Sequence, residues 1–128
     1  MKAITTFLLS VFMITSGLTS ISQVTISGNI TNPVDDTAYF RTRNNTFYAE
    51  VNEEGDFNIT FSLDSATYIS FYHGLESTAM YLTGNEKIEL TINTTEFDET
   101  IQYKGSDESS FLAEKFLEEE SFSFFSKL

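Results

Sequence analysis

The sequence predicts an all-β domain, an antiparallel β-sandwich of about eight short strands with a C-terminal helix. Three observations carry this prediction. Apolar and polar residues alternate with period 2 in one segment after another, as strands with a single buried face require. Turn residues interrupt those segments about every ten residues, the spacing of a sandwich or barrel. Helical periodicity is absent before Ser106, so nothing supplies the crossover helices of a parallel sheet.

The stretch Tyr68–Ile92 organises the chain, reading as three strands, Tyr68–Tyr72, Thr78–Leu82 and Lys87–Ile92. The turns His73-Gly74-Leu75-Glu76 and Thr83-Gly84-Asn85-Glu86 join them. The last strand is the clearest, with Ile88, Leu90 and Ile92 on one face and Lys87, Glu89 and Thr91 on the other. Upstream, Val24, Ile26, Gly28 and Ile30 alternate with Thr25, Ser27, Asn29 and Thr31 in a first strand. Asn32-Pro33-Val34-Asp35-Asp36 stops it, because Pro33 lacks an amide donor and Asn and Asp favour turns. Thr37–Thr42 and Thr46–Val51 follow as the second and third strands, with Arg41, Arg43, Asn44 and Asn45 at the turn. Asn52-Glu53-Glu54-Gly55-Asp56 predicts a polar hairpin connection into a fourth strand, Phe57–Ser62. Leu63-Asp64-Ser65 turns the chain into the central block. Beyond it, Thr94–Glu99 is expected to be a loop anchored by Phe97, and Ile101–Lys104 a short last strand ended by Gly105. With 13 Phe and 6 Tyr, the core is expected to be filled more by aromatic rings than by aliphatic side chains.

The tail, residues 106–128, follows different rules. Ser106 or Asp107 can cap a helix, with Glu108 in the first turn where the helix dipole favours negative charge. Phe111, Leu112, Phe116 and Leu117 recur at helical spacing, and Glu114, Lys115, Glu118 and Glu119 take the other face. After Glu120 the pattern degrades into Ser-Phe-Ser-Phe-Phe-Ser-Lys-Leu. The first four apolar residues predict a docking stripe. Phe122, Phe124, Phe125 and Leu128 predict self-association, because contiguous exposed apolar surface marks an interface or an aggregation liability.

Residues 1–22 have the order of a secretory signal peptide: Met1-Lys2, an apolar run from Ile4 to Leu18, then Ser20-Ile21-Ser22 as the cleavage site. The run is short for a membrane span and is broken by Ser10, Thr15, Ser16 and Gly17. A periplasmic or secreted protein is expected, with residues 23–105 as its β-sandwich domain. The chain has Cys 0, which excludes a lipoprotein acylation site, a disulfide scaffold and thiol catalysis by this chain. The whole chain carries a formal charge of −12, one unit more negative without Lys2. Nucleic acid and anionic membrane surfaces select for basic patches and are poor partners for it.

No catalytic constellation is present, and no cofactor or metal ligand set is expected. His73, the single histidine, falls at a predicted exposed hairpin tip, with no partner at a spacing that specifies a mechanism. Glu53, Glu54 and Asp56 around Gly55 resemble a calcium loop only in part, since the bidentate glutamate of such a loop is replaced by Phe61. Asp35-Asp36 and Asp98-Glu99 are expected to be solvated turns, although neighbouring loops could bring their oxygens together. Carboxylate pairs of the glycosidase kind have no local motif here. Asn29, Asn44, Asn58 and Asn93 each head a glycosylation acceptor triplet, which matters only in a eukaryotic secretory pathway.

Three segments carry a family resemblance: VTISGNITNPVDDTAYF (24–40), YHGLESTAMYLTGNEKIELTI (72–92) and EFDETIQYKGSDESSFLAEKFLEEE (96–120). In that order they resemble the N-terminal accessory domain of TlpA/ResA-like thiol–disulfide oxidoreductases of the Bacteroidetes type. The Phe97-Asp98-Glu99-Thr100-Ile101 run and Phe111-Leu112-Ala113-Glu114-Lys115 are its most specific parts. The resemblance implies a signal peptide, a β-sandwich, a helical linker and then a thioredoxin-fold domain with a Cys-x-x-Cys site. This sequence stops at Leu128 without a cysteine, so no redox residue has a matching position, and the tail corresponds to a truncated linker. The expectation is a non-catalytic interaction module whose protein partner is a thioredoxin-fold domain held at Phe111, Leu112, Phe116 and Leu117. The alternative, from another class, is a sandwich that binds glycan or calcium through loop-tip aromatics and carboxylates.

Overall fold

The period-2 segments form eight strands in the computed structural model, which describes residues 22–126, with side chains as far as Glu120. The predicted signal segment, Ser22 excepted, lies outside the described residues, as do the side chains of Phe122, Phe124 and Phe125. The strands are β1 (Ser22–Thr31), β2 (Thr37–Arg41), β3 (Thr46–Glu50), β4 (Asp56–Leu63), β5 (Thr67–His73), β6 (Glu76–Leu82), β7 (Lys87–Asn93) and β8 (Gln102–Lys104). They form two four-stranded sheets, ordered β4-β1-β7-β8 and β3-β2-β5-β6. This is the predicted β-sandwich. The buried phases of the strands meet between the sheets, where Val24, Ile26, Ile30, Ile88, Leu90 and Ile92 face Phe40, Ile69, Phe71, Met80 and Leu82.

Five features differ from the sequence expectation. One pair is parallel: β1 runs alongside β7, with Ile26 opposite Ile88 and Gly28 opposite Leu90. A parallel pair needs a long crossover, and here the intervening strands of the other sheet supply it in place of a helix. Gly28 permits that approach, since a Cβ there would lie 2.0 Å from the Leu90 carbonyl oxygen. The central block is also divided, because β7 belongs to the sheet opposite β5 and β6. Asn52–Gly55 likewise forms no hairpin but carries the chain from one sheet to the other. Its turn is closed by the Asn52 side chain, which accepts from the Glu54 and Asp56 amides at 3.0 and 2.9 Å.

The fourth difference is the predicted loop after β7, which is wound into a 3₁₀ turn (Thr94–Glu96) and one α-helical turn, α1 (Phe97–Thr100). Phe97 is buried, in the anchoring role expected of it. The fifth is core composition. Aliphatic side chains outnumber rings in the buried cluster, although Phe40, Phe57, Phe61, Phe71 and Phe97 form a connected seam with centroids 5.2–6.3 Å apart. The missing aromatics lie elsewhere: most tyrosines point outward, and several phenylalanines belong to the two terminal segments.

Helix α2 (Asp107–Ser126) starts where the capping signal places it, and Ser106 Oγ accepts from the Ser109 amide at 3.2 Å. Its backbone continues through Ser126, past the point where the apolar pattern degrades. The expected docking stripe is split. Ser109 and Ala113 turn toward the sandwich with Leu112 and Leu117 half-buried, whereas Phe111 and Phe116 are 58% and 51% exposed. Small residues make the contact because the helix lies close against the β6 and β8 edges.

Beneath it, the Tyr103 hydroxyl is buried without a hydrogen-bond partner among the described residues. Burial pushes its ionisation far above the ordinary tyrosine value, and nearby Thr78, short of hydrogen-bond geometry, offsets only part of that rise. Replacing Tyr103 with Phe removes this unsatisfied group without changing the ring, and an orphaned buried donor costs about 1–3 kcal/mol. The variant is expected to melt several degrees higher in a calorimetric scan, since 1 kcal/mol is worth roughly 4–8 °C in a domain of this size.

Candidate interaction site

Tyrosine placement follows from strand parity. On β2, Ala38 and Phe40 are buried, so Tyr39 and Arg41 must project from the outer face. Ala49 is buried on β3 and puts Tyr48 outside; Ile69 and Phe71 do the same for Tyr68 and Tyr72 on β5; Met80 and Leu82 do it for Tyr81 on β6. Five of the chain's 6 tyrosines therefore stand on the outer face of one sheet.

Strand register then brings them together. Tyr39 lies opposite both Tyr48 and Tyr72, and Tyr68 lies opposite Tyr81. The Tyr39 and Tyr72 rings stack at 4.7 Å between centroids and 4° between planes. Tyr48 leans on Tyr39 at 5.8 Å, and Tyr81 meets Tyr68 edge-on at 4.9 Å. The Arg41 guanidinium lies 5.2 Å from the Tyr72 centroid and 5.7 Å from that of Tyr39, within cation–π range. Between the two tyrosine groups, Ser70 and Ala79 form a low floor.

Helix α2 walls this face. A hollow of about 570 Å³ is lined by Tyr68, Tyr81, Asp107, Glu108, Phe111 and Leu112. Beside it, a cleft of about 410 Å³ is lined by Ser70, Ser77, Ala79, Asp98, Leu112 and Phe116, among others. The exposed Phe111 and Phe116 thus extend the tyrosine surface instead of forming a separate stripe. Burial and the neighbouring Glu99 carboxylate raise the Asp98 pKa above the ordinary carboxylate value.

The other residues singled out in the sequence do not converge. His73 is buried, 1% exposed, as the last inward residue of β5 and not the tip of a turn. Its Nε2 accepts from the Val34 amide at 3.0 Å, and Nδ1–H donates to the Thr37 carbonyl at 3.1 Å. Both ring nitrogens are occupied, leaving none for a ligand. Gly74, at φ +61°, and Leu75 take over the tip, and Leu75 is fully exposed. Glu53 and Glu54 lie in the turn between β3 and β4 and Asp56 opens β4, whereas Asp98 and Glu99 are on α1. Among the described residues, no three His, Asp or Glu side chains are grouped closely enough to hold a metal ion. A hollow of about 640 Å³ is lined by Asp36, Thr37, Glu50, Asn52, Asp56 and Asn58, among others, from the ends of β2, β3 and β4 and the connections beside them.

The tyrosine face is absent from the sequence expectation, although the sequence carries a signal for it. Each of the five tyrosines occupies the solvent phase of its strand, where Thr, Ser or a charged residue would be usual.

No protein-family model matches the chain, and no curated protein matches it. Among solved structures, it is similar to a suggested cell adhesion protein from Bacteroides ovatus ATCC 8483, at 7% identity and a TM-score of 0.37. That alignment covers 68% of this chain and 44% of the other, so the chain spans less than half the length of that neighbour.

Proposed function

We propose that the chain is a non-catalytic interaction module of the periplasm or cell exterior, and that it holds a protein partner on its tyrosine face. One observation carries the reading: five tyrosines and Arg41 share the outer face of the β3-β2-β5-β6 sheet. Tyrosine and arginine are enriched where proteins bind one another, because each offers a large apolar body with a polar end. Stacking favours a protein over a sugar. Tyr39 and Tyr72 each give one face to the other and keep Arg41 within cation–π range, which reduces the open ring face for a pyranose. A thioredoxin-fold domain of the cell envelope is the partner class that the family resemblance implies, with Phe111, Leu112 and Phe116 at the rim of its footprint. The glycan alternative rests on Tyr48 and Tyr68, whose rings are 68% and 65% exposed.

Titration calorimetry against a purified envelope thioredoxin-fold protein tests this. Tyr48→Ser combined with Tyr68→Ser should weaken binding at least tenfold, since truncating an interface hot spot typically costs about 2 kcal/mol or more. The fold should survive with a modestly lower melting temperature, because both residues are largely exposed and each loses one cross-strand aromatic contact of roughly 0.2–1 kcal/mol. Unchanged affinity in the double variant would remove the tyrosine face from the interface. Binding to envelope polysaccharide, lost in the same variant, would favour the glycan alternative.

A further inference from the structure

Beside the tyrosine face, strand β6 has an edge that is only half covered. Gly74 and Leu75 form a two-residue hairpin loop closed by His73 opposite Glu76. The alternation of an antiparallel ladder then turns the backbone N–H and C=O of Ser77, Ala79 and Tyr81 away from β5. Helix α2 covers the Tyr81 end. Ser109 Oγ accepts from the Tyr81 amide at 3.1 Å, and the Ser106 and Ser109 hydroxyls reach the Tyr81 carbonyl at 3.3 and 3.2 Å. At Ser77 and Ala79 the described residues provide no such cover. Among the described residues, no hydrogen bond from outside the β5 ladder reaches their backbone groups, and both residues are exposed. These residues instead border the cleft of about 410 Å³, with Leu112 and Phe116 as its apolar wall.

An uncovered edge with two outward donors and two outward acceptors is a template for an added strand. Charge selects what can enter. Asp98 and Glu119 line the cleft, and its single cation among the described residues, Lys115, lies 3.5 Å from Glu118. The surrounding helix surface adds Asp107, Glu108, Glu114 and Glu120. A second copy would bring the same acidic helix against this one, and like charges oppose that pairing.

We infer that the Ser77–Ala79 edge of β6 binds an extended, lysine- or arginine-bearing segment of a partner protein by strand addition beside helix α2. Alternate side chains of the segment rest on Leu112 and Phe116, and its cations face Asp98 and Glu119. At 3.3 Å per residue the free edge accommodates roughly three to four residues, so the site contributes selectivity to a larger contact. It adjoins the tyrosine face and shares Leu112 and Phe116 with its rim, but it is read from the backbone groups of β6 and not from the tyrosine rings.

The probe is an acetylated and amidated hexapeptide of alternating lysine and valine, with an N-methylated copy and a glutamate-for-lysine copy as controls. Amide exchange is followed by NMR on the intact protein. The unmodified peptide should slow exchange at Ser77 and Ala79 at least tenfold, and the N-methylated and acidic copies should not. Asp98→Asn with Glu119→Lys should lower its affinity at least tenfold while Tyr48→Ser with Tyr68→Ser leaves it unchanged. Ala79→Pro removes one outward donor without touching the β5 ladder and should abolish protection; the charge variants give the same answer if that one folds poorly. Equal binding of the methylated or acidic peptide would overturn the inference, as would absence of protection at millimolar lysine–valine peptide. Protection of Ser77 and Ala79 without peptide, accompanied by a dimer in sedimentation, would assign the edge to a second copy and overturn it as well.

Discussion

Leu90→Asp is expected to leave the protein unfolded at room temperature. Leu90 has no exposed surface and lies mid-strand in β7, between Gly28 of β1 and Tyr103 of β8. An aspartate there forfeits roughly 1.5–3 kcal/mol of leucine burial and places a carboxylate among apolar side chains with no cation nearby. The second cost is several kcal/mol whether the group remains charged or takes up a proton. Together they approach the roughly 5–15 kcal/mol that holds a small domain folded. Neighbouring Glu89 faces solvent, where Glu89→Gln should change stability by less than about 0.5 kcal/mol. The neutral amide is a cleaner control than lysine, because Glu89 pairs across the ladder with Lys104 and a second cation would add repulsion. Far-ultraviolet circular dichroism during heating checks both variants. A cooperative, parent-like melt of Leu90→Asp would mean that β7 is out of register.

That pair is also where the sequence was most legible. The alternation of Ile88, Leu90 and Ile92 with Lys87, Glu89 and Thr91 is a local property, and local properties fixed the strands, the Ser106 cap and the Phe97 anchor. Partition of the strands between sheets is not local. Nothing in Asn52–Gly55 distinguishes a hairpin from a crossover, because the deciding contacts are made outside the turn, by Phe57 and Phe61 of β4 with Phe40 and Phe71 of the opposite sheet. The parallel register of β1 and β7 left one trace, Gly28 in the middle of a strand, whose meaning needs the Leu90 carbonyl in view. On α2, large apolar residues were the obvious stripe, yet Ser106, Ser109 and Ala113 dock because a close approach to an edge strand favours small side chains. The tyrosine face was hidden for the opposite reason. Each tyrosine taken alone reads as a strand former, and only the register of β3, β2, β5 and β6 shows them as neighbours.

His73 joins that register to the rest of the fold, and His73→Leu is expected to be strongly destabilising. Strand parity already placed it inward, continuing Ile69 and Phe71, had β5 been extended by one residue beyond Tyr72. Its ring bridges two backbone groups, the Val34 amide in the β1–β2 connection and the Thr37 carbonyl at the start of β2. That connection carries the chain from one sheet to the other and sets where β2 begins, hence where Tyr39 and Arg41 lie. Leucine fills similar space but leaves a donor and an acceptor unpaired in a part-buried site, where each costs about 1–2 kcal/mol, the lower part of the usual range. A loss of roughly 2–4 kcal/mol in urea denaturation at neutral pH is expected, with the m-value unchanged. His73→Gln can restore the acceptor that Nε2 provides to Val34 but not the Nδ1–H donor, and should recover about half of the loss. Two-dimensional NMR provides the second readout: the Val34 amide should exchange faster in the leucine variant, and its protection should return in part with glutamine. A leucine variant as stable as the parent would place His73 back at an exposed turn and break the link between the β5–β6 hairpin and the tyrosine face.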